Sequence, residues 1–232
     1  MIYYPRLKNS FNDRYRDAGK VFIGFPCTFQ GRLRLNFCAV HKHGAFLIRE
    51  VNIKMSQYKA TIMDEEAVKR AIKRISHEIL EKNGGCDNIC IIGVKRRGVP
   101  LAGMIAANIA DIEKKLVPCG NLDITFYRDD LVHTSADPVL HSSQIPFEIT
   151  GKRVIIVDDV LYTGRTARAA IDAVISRGRP EAIQLAVLVD RGHRELPIRG
   201  DYVGKNVPTA KTERISVKLP PYDDGICVEL FD

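Results

Sequence analysis

The sequence predicts an α/β domain, a mainly parallel sheet flanked by helices. Short apolar runs alternate with amphipathic stretches along most of the chain. Several runs are continuous, as in Val154-Ile155-Ile156-Val157, which suits strands covered on both faces. The composition, 45% hydrophobic and 27% charged over 232 residues with no Trp, supports one substantial core. It excludes a disordered chain, a collagen and a small disulfide scaffold.

The first 54 residues stand apart from this pattern. They hold nine of the 17 aromatics, Phe22, Phe25, Phe29 and Phe37 among them, with scattered Gly and Pro and no sustained helical period. They also carry ten Lys and Arg against Asp13, Asp17 and Glu50, whereas residues 55–232 hold 25 basic and 25 acidic side chains. The net charge of +7 therefore belongs to the first 54 residues, and by itself it identifies no nucleic-acid partner. Two regions are expected: a basic, aromatic extension at 1–54 and a domain at 55–232. The extension reads either as sequence upstream of a true start at Met55 or as a basic arm that touches RNA or a partner. Mass spectrometry of the native N-terminus separates these readings.

From Met55 a short strand-like piece leads to a helix with acids in its first turn (Asp64, Glu65, Glu66), Lys82 in its last, and Asn83-Gly84-Gly85 as a stop. Val68, Ile72, Ile75 and Ile79 form its apolar stripe. Lys69, Arg70, Lys73, Arg74 and His77 collect away from the stripe and, with Glu78 and Glu81, read as a solvated face. Strands are then expected at 88–94, 122–127, 153–157 and 182–189, with helices at 100–113 and 166–177 and further strands near 215–219 and 227–230. A long polar connection, 128–150, interrupts the rhythm, and loops of that length are usually functional.

The cysteines at 27, 38, 86, 90, 119 and 227 contain no C-x-x-C pair and are expected as buried thiols. No H-E-x-x-H occurs, so a zinc hydrolase has no support. Neither a run of 18 apolar residues nor a secretory leader is present, and a cytoplasmic location is expected.

The most informative stretch runs from Val154 through Asp158 and Asp159 to Thr166. A buried strand ends in two acids, followed by the loop Val160-Leu161-Tyr162-Thr163-Gly164-Arg165-Thr166 and a helix start. Ligands of open α/β sheets bind at strand carboxyl ends. Backbone N–H groups, the Thr163 and Thr166 hydroxyls, Gly164 and the helix N-terminus together suit a phosphate, and the two carboxylates suit sugar hydroxyls. An acidic strand end with a Gly turn is the plain structural alternative. No G-x-x-x-x-G-K-[ST] or G-x-G-x-x-G is present. A second strand end leads into the basic turn Lys95-Arg96-Arg97-Gly98.

Asp-Asp-Val-Leu-Tyr-Thr-Gly-Arg-Thr at 158–166 resembles the phosphoribosyl pyrophosphate (PRPP) signature of type I phosphoribosyltransferases, in the form found in the PyrR family. Tyr127-Arg128-Asp129-Asp130-Leu131 and the run from Gln184 to Pro197 resemble that family too, so the likeness covers roughly 55–230. The resemblance implies the type I phosphoribosyltransferase fold, with a small hood and a long flexible loop. It also implies an RNA-binding attenuator of pyrimidine genes that makes UMP from uracil and PRPP. By the resemblance, Asp158 and Asp159 hold the ribose hydroxyls, Val160 to Thr166 form the nucleotide loop, and Lys95, Arg96, Arg97 and Gly98 hold pyrophosphate. Arg128, with Asp129 and Asp130, opens the closing loop. Uracil is expected near Val189 and Arg191, and Mg²⁺ on the PRPP oxygens with Asp190 reached directly or through water.

Lys73, Arg74, His77, Arg96, His193, Arg194, Arg199 and Lys205 match the RNA-binding positions that the resemblance implies. The family pattern has Thr where this chain has Lys73 and Arg96, two departures toward positive charge that favour nonspecific attraction over sequence readout. A salvage uracil phosphoribosyltransferase without RNA regulation is the alternative, and a regulator with negligible catalysis a third reading. The partners implied are PRPP, uracil, UMP or UTP, pyrimidine-operon leader RNA and further copies of the chain in a homodimer or larger homo-oligomer.

Overall fold

The computed structural model describes residues 57–124 and 143–232, together with the backbone of three strands that precede them. The chain divides into two compact units, 1–57 and 58–232. In the first, β1 (Val21–Phe29), β2 (Arg32–Val40) and β3 (Phe46–Lys54) form an antiparallel sheet in that order, with Val21 opposite Val40 and Arg32 opposite Lys54. The sequence predicts no strands here. The available signal was the period-two alternation Arg32-Leu33-Arg34-Leu35-Asn36-Phe37, which short strands use to separate two faces.

The second unit is built on a five-stranded parallel sheet. Its strands are β5 (Ile89–Val94), β6 (Cys119–Leu122), β7 (Arg153–Leu161), β8 (Ala182–Asp190) and β9 (Tyr202–Asn206), in the spatial order β6-β5-β7-β8-β9. Alternate residues of the central strands face two separate cores. Ile89, Ile91, Ile155, Val157, Ala186 and Leu188 meet the helices α1 (Glu65–Asn83) and α2 (Gly98–Glu113), while Cys90, Ile92, Val154, Ile156, Leu185 and Val187 meet α3 (Arg165–Ile175). Coverage of both faces is why these strands read as unbroken apolar runs. A smaller antiparallel sheet, β10-β11-β4, is formed by β4 (Tyr58–Met63), β10 (Arg214–Lys218) and β11 (Cys227–Phe231) and corresponds to the expected hood.

α1 follows its expected pattern closely. The Asp64 side chain caps it by accepting from Ala67 N at 2.8 Å, the predicted stripe is buried, and Gly84 ends it in the left-handed conformation. Three expectations change. The strand placed at 122–127 begins earlier, at Cys119, and its ladder with β5 ends where Leu122 lies opposite Val94; residues 125–127 lie outside the described residues. β7 extends past Val157 to Leu161, so the acid pair belongs to the strand. β9 lies where no element was expected: an edge strand with Gly204 at its centre shows no alternation.

Cys86 and Cys90 are buried, and burial pushes the Cys90 thiol up to about 11. Cys119 departs from the expectation of buried thiols and is exposed on the short strand β6. Among the described residues no helix is long and apolar enough to cross a membrane.

Candidate active site

Three neighbouring strand ends assemble the site. Register places Gly93 of β5 beside Val157 of β7, and Leu161 of β7 beside Asp190 of β8. The turn after β5, the loop after β7 and the segment after β8 therefore emerge along one edge of the sheet, where open α/β sheets bind ligands.

The first of these is Lys95-Arg96-Arg97, with a cis peptide between Lys95 and Arg96, leading into α2 at Gly98. A Cβ on Gly98 would lie 2.4 Å from the Val157 carbonyl oxygen, so only glycine lets α2 start this close to β7. Lys95 N donates to Leu122 O at 2.9 Å, and its Nζ lies 3.5 Å from the Asp123 carboxylate. Arg96 is exposed. Arg97 donates from Nε and Nη2 to the two oxygens of Asp223 at 3.0 and 2.9 Å.

Asp158 and Asp159 are half-buried. Each turns a carboxylate oxygen back onto the chain: Asp159 N donates to Asp158 Oδ1 and Val160 N to Asp159 Oδ1, both at 2.9 Å. The loop from Tyr162 to Gly164 then turns into α3. Gly164 has φ +93°, a conformation L side chains rarely adopt. α3 has no side-chain cap and no acid in its first turn, which leaves its N-terminus chemically suited to an anion. The loop is fixed from the β8 side, where Glu195 N and Leu196 N both donate to Thr163 O, at 3.0 and 3.1 Å.

Beyond β8, Asp190 to His193 face Asn206 to Thr209 across a cleft of about 350 Å³. Arg191 is buried, with its guanidinium over the Tyr162 ring at 4.1 Å and donating to Thr209 Oγ1, Ala210 O and Glu213 O. Val189, expected beside it, has a fully buried side chain in the core under α1 and α2 and does not line the cleft. Asp190 has both oxygens engaged, accepting from Gly192 N at 2.9 Å and from Arg194 Nη2. No group of three or more His, Cys, Asp or Glu side chains able to hold a metal ion occurs among the described residues.

The basic positions divide. Lys73, Arg74, His77, Arg199 and Lys205 are exposed. Arg74 reaches from α1 to the carbonyl oxygens of Val203 and Gly204, which brings the α1 face to Lys205 on β9. His193 is half-buried, with Nε2 against Thr209 O. Arg194 is turned inward: it donates to the Ile198, Leu161, Tyr162 and Gly192 carbonyl oxygens as well as to Asp190. Arg128, Asp129 and Asp130 lie outside the described residues.

Sequence reasoning missed Asn206 to Thr209 and Asp223. For the first group Pro208, which cannot continue a central strand, was the available signal. Asp223 lies 126 residues from its partner Arg97 and had no local signal at all.

The likeness to known proteins spans these same elements. Residues 59–223 match the phosphoribosyl transferase domain family. The chain is 62% identical to the bifunctional protein PyrR of Acetivibrio thermocellus over 174 residues, covering 75% of this chain and 95% of that protein. It is 58% identical to the protein of the same name from Deinococcus radiodurans, covering 77% and 97%. Among solved structures, a hypoxanthine-guanine phosphoribosyltransferase of Bacillus anthracis superposes with TM-score 0.54 at 19% identity, covering 76% of this chain and 99% of that one. The hypoxanthine phosphoribosyltransferase of Trypanosoma cruzi gives 0.57 at 17%, covering 78% and 94%. These two likenesses concern the fold. The domain match and the extent of identity show that the chain belongs to the phosphoribosyltransferase family and, within it, to the PyrR proteins.

Proposed function

We propose that the protein is a uridine-nucleotide-dependent, RNA-binding regulator of pyrimidine gene expression acting by transcription attenuation. In this reading it also has uracil phosphoribosyltransferase activity, converting uracil and PRPP to UMP and pyrophosphate. The observation that carries the reading is the meeting of three unlike strand ends: a cationic turn, an acid pair with an anion loop, and a cleft.

Each strand end takes one part of the reaction. Asp158 and Asp159 accept from the ribose hydroxyls, and the loop from Val160 to Thr166 receives the 5′-phosphate on backbone N–H groups and the α3 N-terminus. Lys95, Arg96, Arg97 and Gly98 receive the pyrophosphate, whose charge grows as the C1′–O bond breaks. Uracil occupies the cleft beside Arg191, and its N1 attacks C1′ as positive charge develops on the sugar. The residues available act by positioning and by stabilising the leaving group, with no covalent nucleophile. The closing loop opened by Arg128 excludes water from that sugar cation. Mg²⁺ bound with PRPP would be carried on the substrate and would offset the charge of the departing pyrophosphate. The engaged carboxylate of Asp190 does not fit a resident metal held by the protein.

RNA binding is assigned to the exposed face of Lys73, Arg74, His77, Arg199 and Lys205, with Arg96 and His193 toward the strand ends. Arg194 supports this face through the backbone and not by phosphate contact, because its donors are directed inward. Where residues 1–54 are part of the native protein and not sequence upstream of a start at Met55, their excess positive charge adds salt-sensitive attraction.

Uracil-dependent release of pyrophosphate from PRPP tests the enzyme. The paired substitutions Asp158→Asn and Asp159→Asn are expected to abolish it, and unchanged release would discredit this site. Binding of pyrimidine-operon leader RNA at several salt concentrations, with and without UMP, tests the regulator. Nucleotide-enhanced, sequence-selective binding supports it. Binding that salt alone removes would leave a salvage uracil phosphoribosyltransferase.

A further inference from the structure

Arg97 is the one residue of the basic turn whose side chain is gripped by another element on a matched, two-pronged contact. Nε and Nη2 donate to Asp223 Oδ2 and Oδ1 at 3.0 and 2.9 Å, the fork geometry that fixes a guanidinium in direction as well as in distance. Asp223 is fixed in turn. Leu219 N donates to its Oδ2 and its own N donates to Leu219 O, both at 3.1 Å, and Leu219 is fully buried in the core. The chain of contacts therefore runs from the core, through the hood turn between β10 and β11, to the start of α2.

We propose that Asp223 is a positioning residue for the transfer reaction, holding the Arg97 guanidinium aimed at the pyrophosphate of PRPP. The inference rests on the assignment of the 95–98 turn to pyrophosphate. A guanidinium has five N–H donors, and the fork occupies two, so three remain for an anion. The second carboxylate that acts on Arg97 is Asp159, which the proposed function gives to the ribose. Without Asp223 the guanidinium is no longer held in one direction, and PRPP loses a pre-aimed pyrophosphate donor. Asp223 also fixes a residue that sits at the N-cap of α2 with no side-chain cap of its own, where a free arginine would lose rotamer entropy on binding. The Asp223 carboxyl is held below the usual carboxylate range, chiefly by the Arg97 hydrogen bonds, so it is charged whenever the enzyme works near neutrality.

The test uses the full chain and the variants Asp223→Asn, Arg97→Met and their combination, with steady-state kinetics and calorimetric binding of inorganic pyrophosphate. Asp223→Asn is expected to raise KM for PRPP and the pyrophosphate Kd about tenfold, the scale of a misaimed charged donor, with KM for uracil within about twofold. In the Arg97→Met background the same substitution is expected to change neither quantity further. Equal effects with and without Arg97 would overturn the proposal. So would a general loss in which both KM values and the melting temperature move together. A fall in KM for PRPP would also overturn it, because Asp223 would then be a competitor for Arg97. If Asp223→Asn does not fold, Arg97→Lys supplies the test: it keeps the charge and loses the fork, and unaltered pyrophosphate binding would refute the proposal. If the wild-type chain releases no pyrophosphate with uracil, the functional assignment fails. Pyrophosphate binding still decides the role of Asp223.

Discussion

α1 and the two helices at the site begin in opposite ways. α1 starts with Asp64 bonded to Ala67 N, with Glu65 and Glu66 in its first turn and Lys69 paired to both. α2 and α3 start after Arg97 and Gly164, with no side-chain cap and no acid in the first turn. All three face the same requirement, since the first N–H groups of any helix lack partners within it. α1 meets the requirement from its own sequence and is complete. α2 and α3 carry no such cap, and in the proposed function the anionic groups of PRPP supply it.

The largest test of this contrast is Gly98→Ala. Its Cβ would meet the Val157 carbonyl at 2.4 Å, and backbone cannot swing aside as a long side chain can. A loss of about 3 kcal/mol of stability is expected in denaturant unfolding, with loss of pyrophosphate binding. Giving α3 a start like that of α1 comes next. Thr166→Glu puts an acid where α1 has Glu66, and the affinity for PRPP is expected to fall about a hundredfold, as when an anion donor is lost. Thermal stability should hold or rise slightly, because the added charge favours the helix dipole. A variant that binds PRPP normally would show that the anion sits elsewhere.

The converse substitution, Asp64→Ala, is expected to cost about 1 kcal/mol in unfolding, with KM for both substrates unchanged. The smallest effect is one of pH. Arg97 holds the Asp223 carboxyl low in the folded state, so the pair contributes stability above the unfolded value of about 4 and loses it as pH falls through the folded one. Acid unfolding of wild type and Asp223→Asn should therefore converge below about pH 4 and stay parallel above about pH 5.

Local chemistry explains which parts of this protein were legible. Asp64, the Val68-Ile72-Ile75-Ile79 stripe and Gly84 act within one helix, and all are found as the sequence predicts. The apolar runs of β5, β7 and β8 were equally clear because both faces of each are covered. β9 was missed because an edge strand is defined by its neighbour β8 and not by its own pattern. Within the site, the acid pair and the anion loop were visible because a strand, a glycine turn and a helix start are contiguous in the chain. Val189 was misjudged because its side chain is buried in the α1 and α2 core together with that of Leu188, against simple strand alternation, and so does not line the cleft.

The sequence by itself determined the α/β class, the cores and the separate basic turn and acid-hydroxyl loop, since each depends on residues a few positions apart. Only the tertiary structure decided that β5, β7 and β8 end side by side. It also directed Arg194 inward and placed Asp223 against Arg97 across 126 residues. Periodicity and capping record interactions within one turn or one strand. Pairings between distant segments depend on strand order and on the hood turn, which no local pattern encodes.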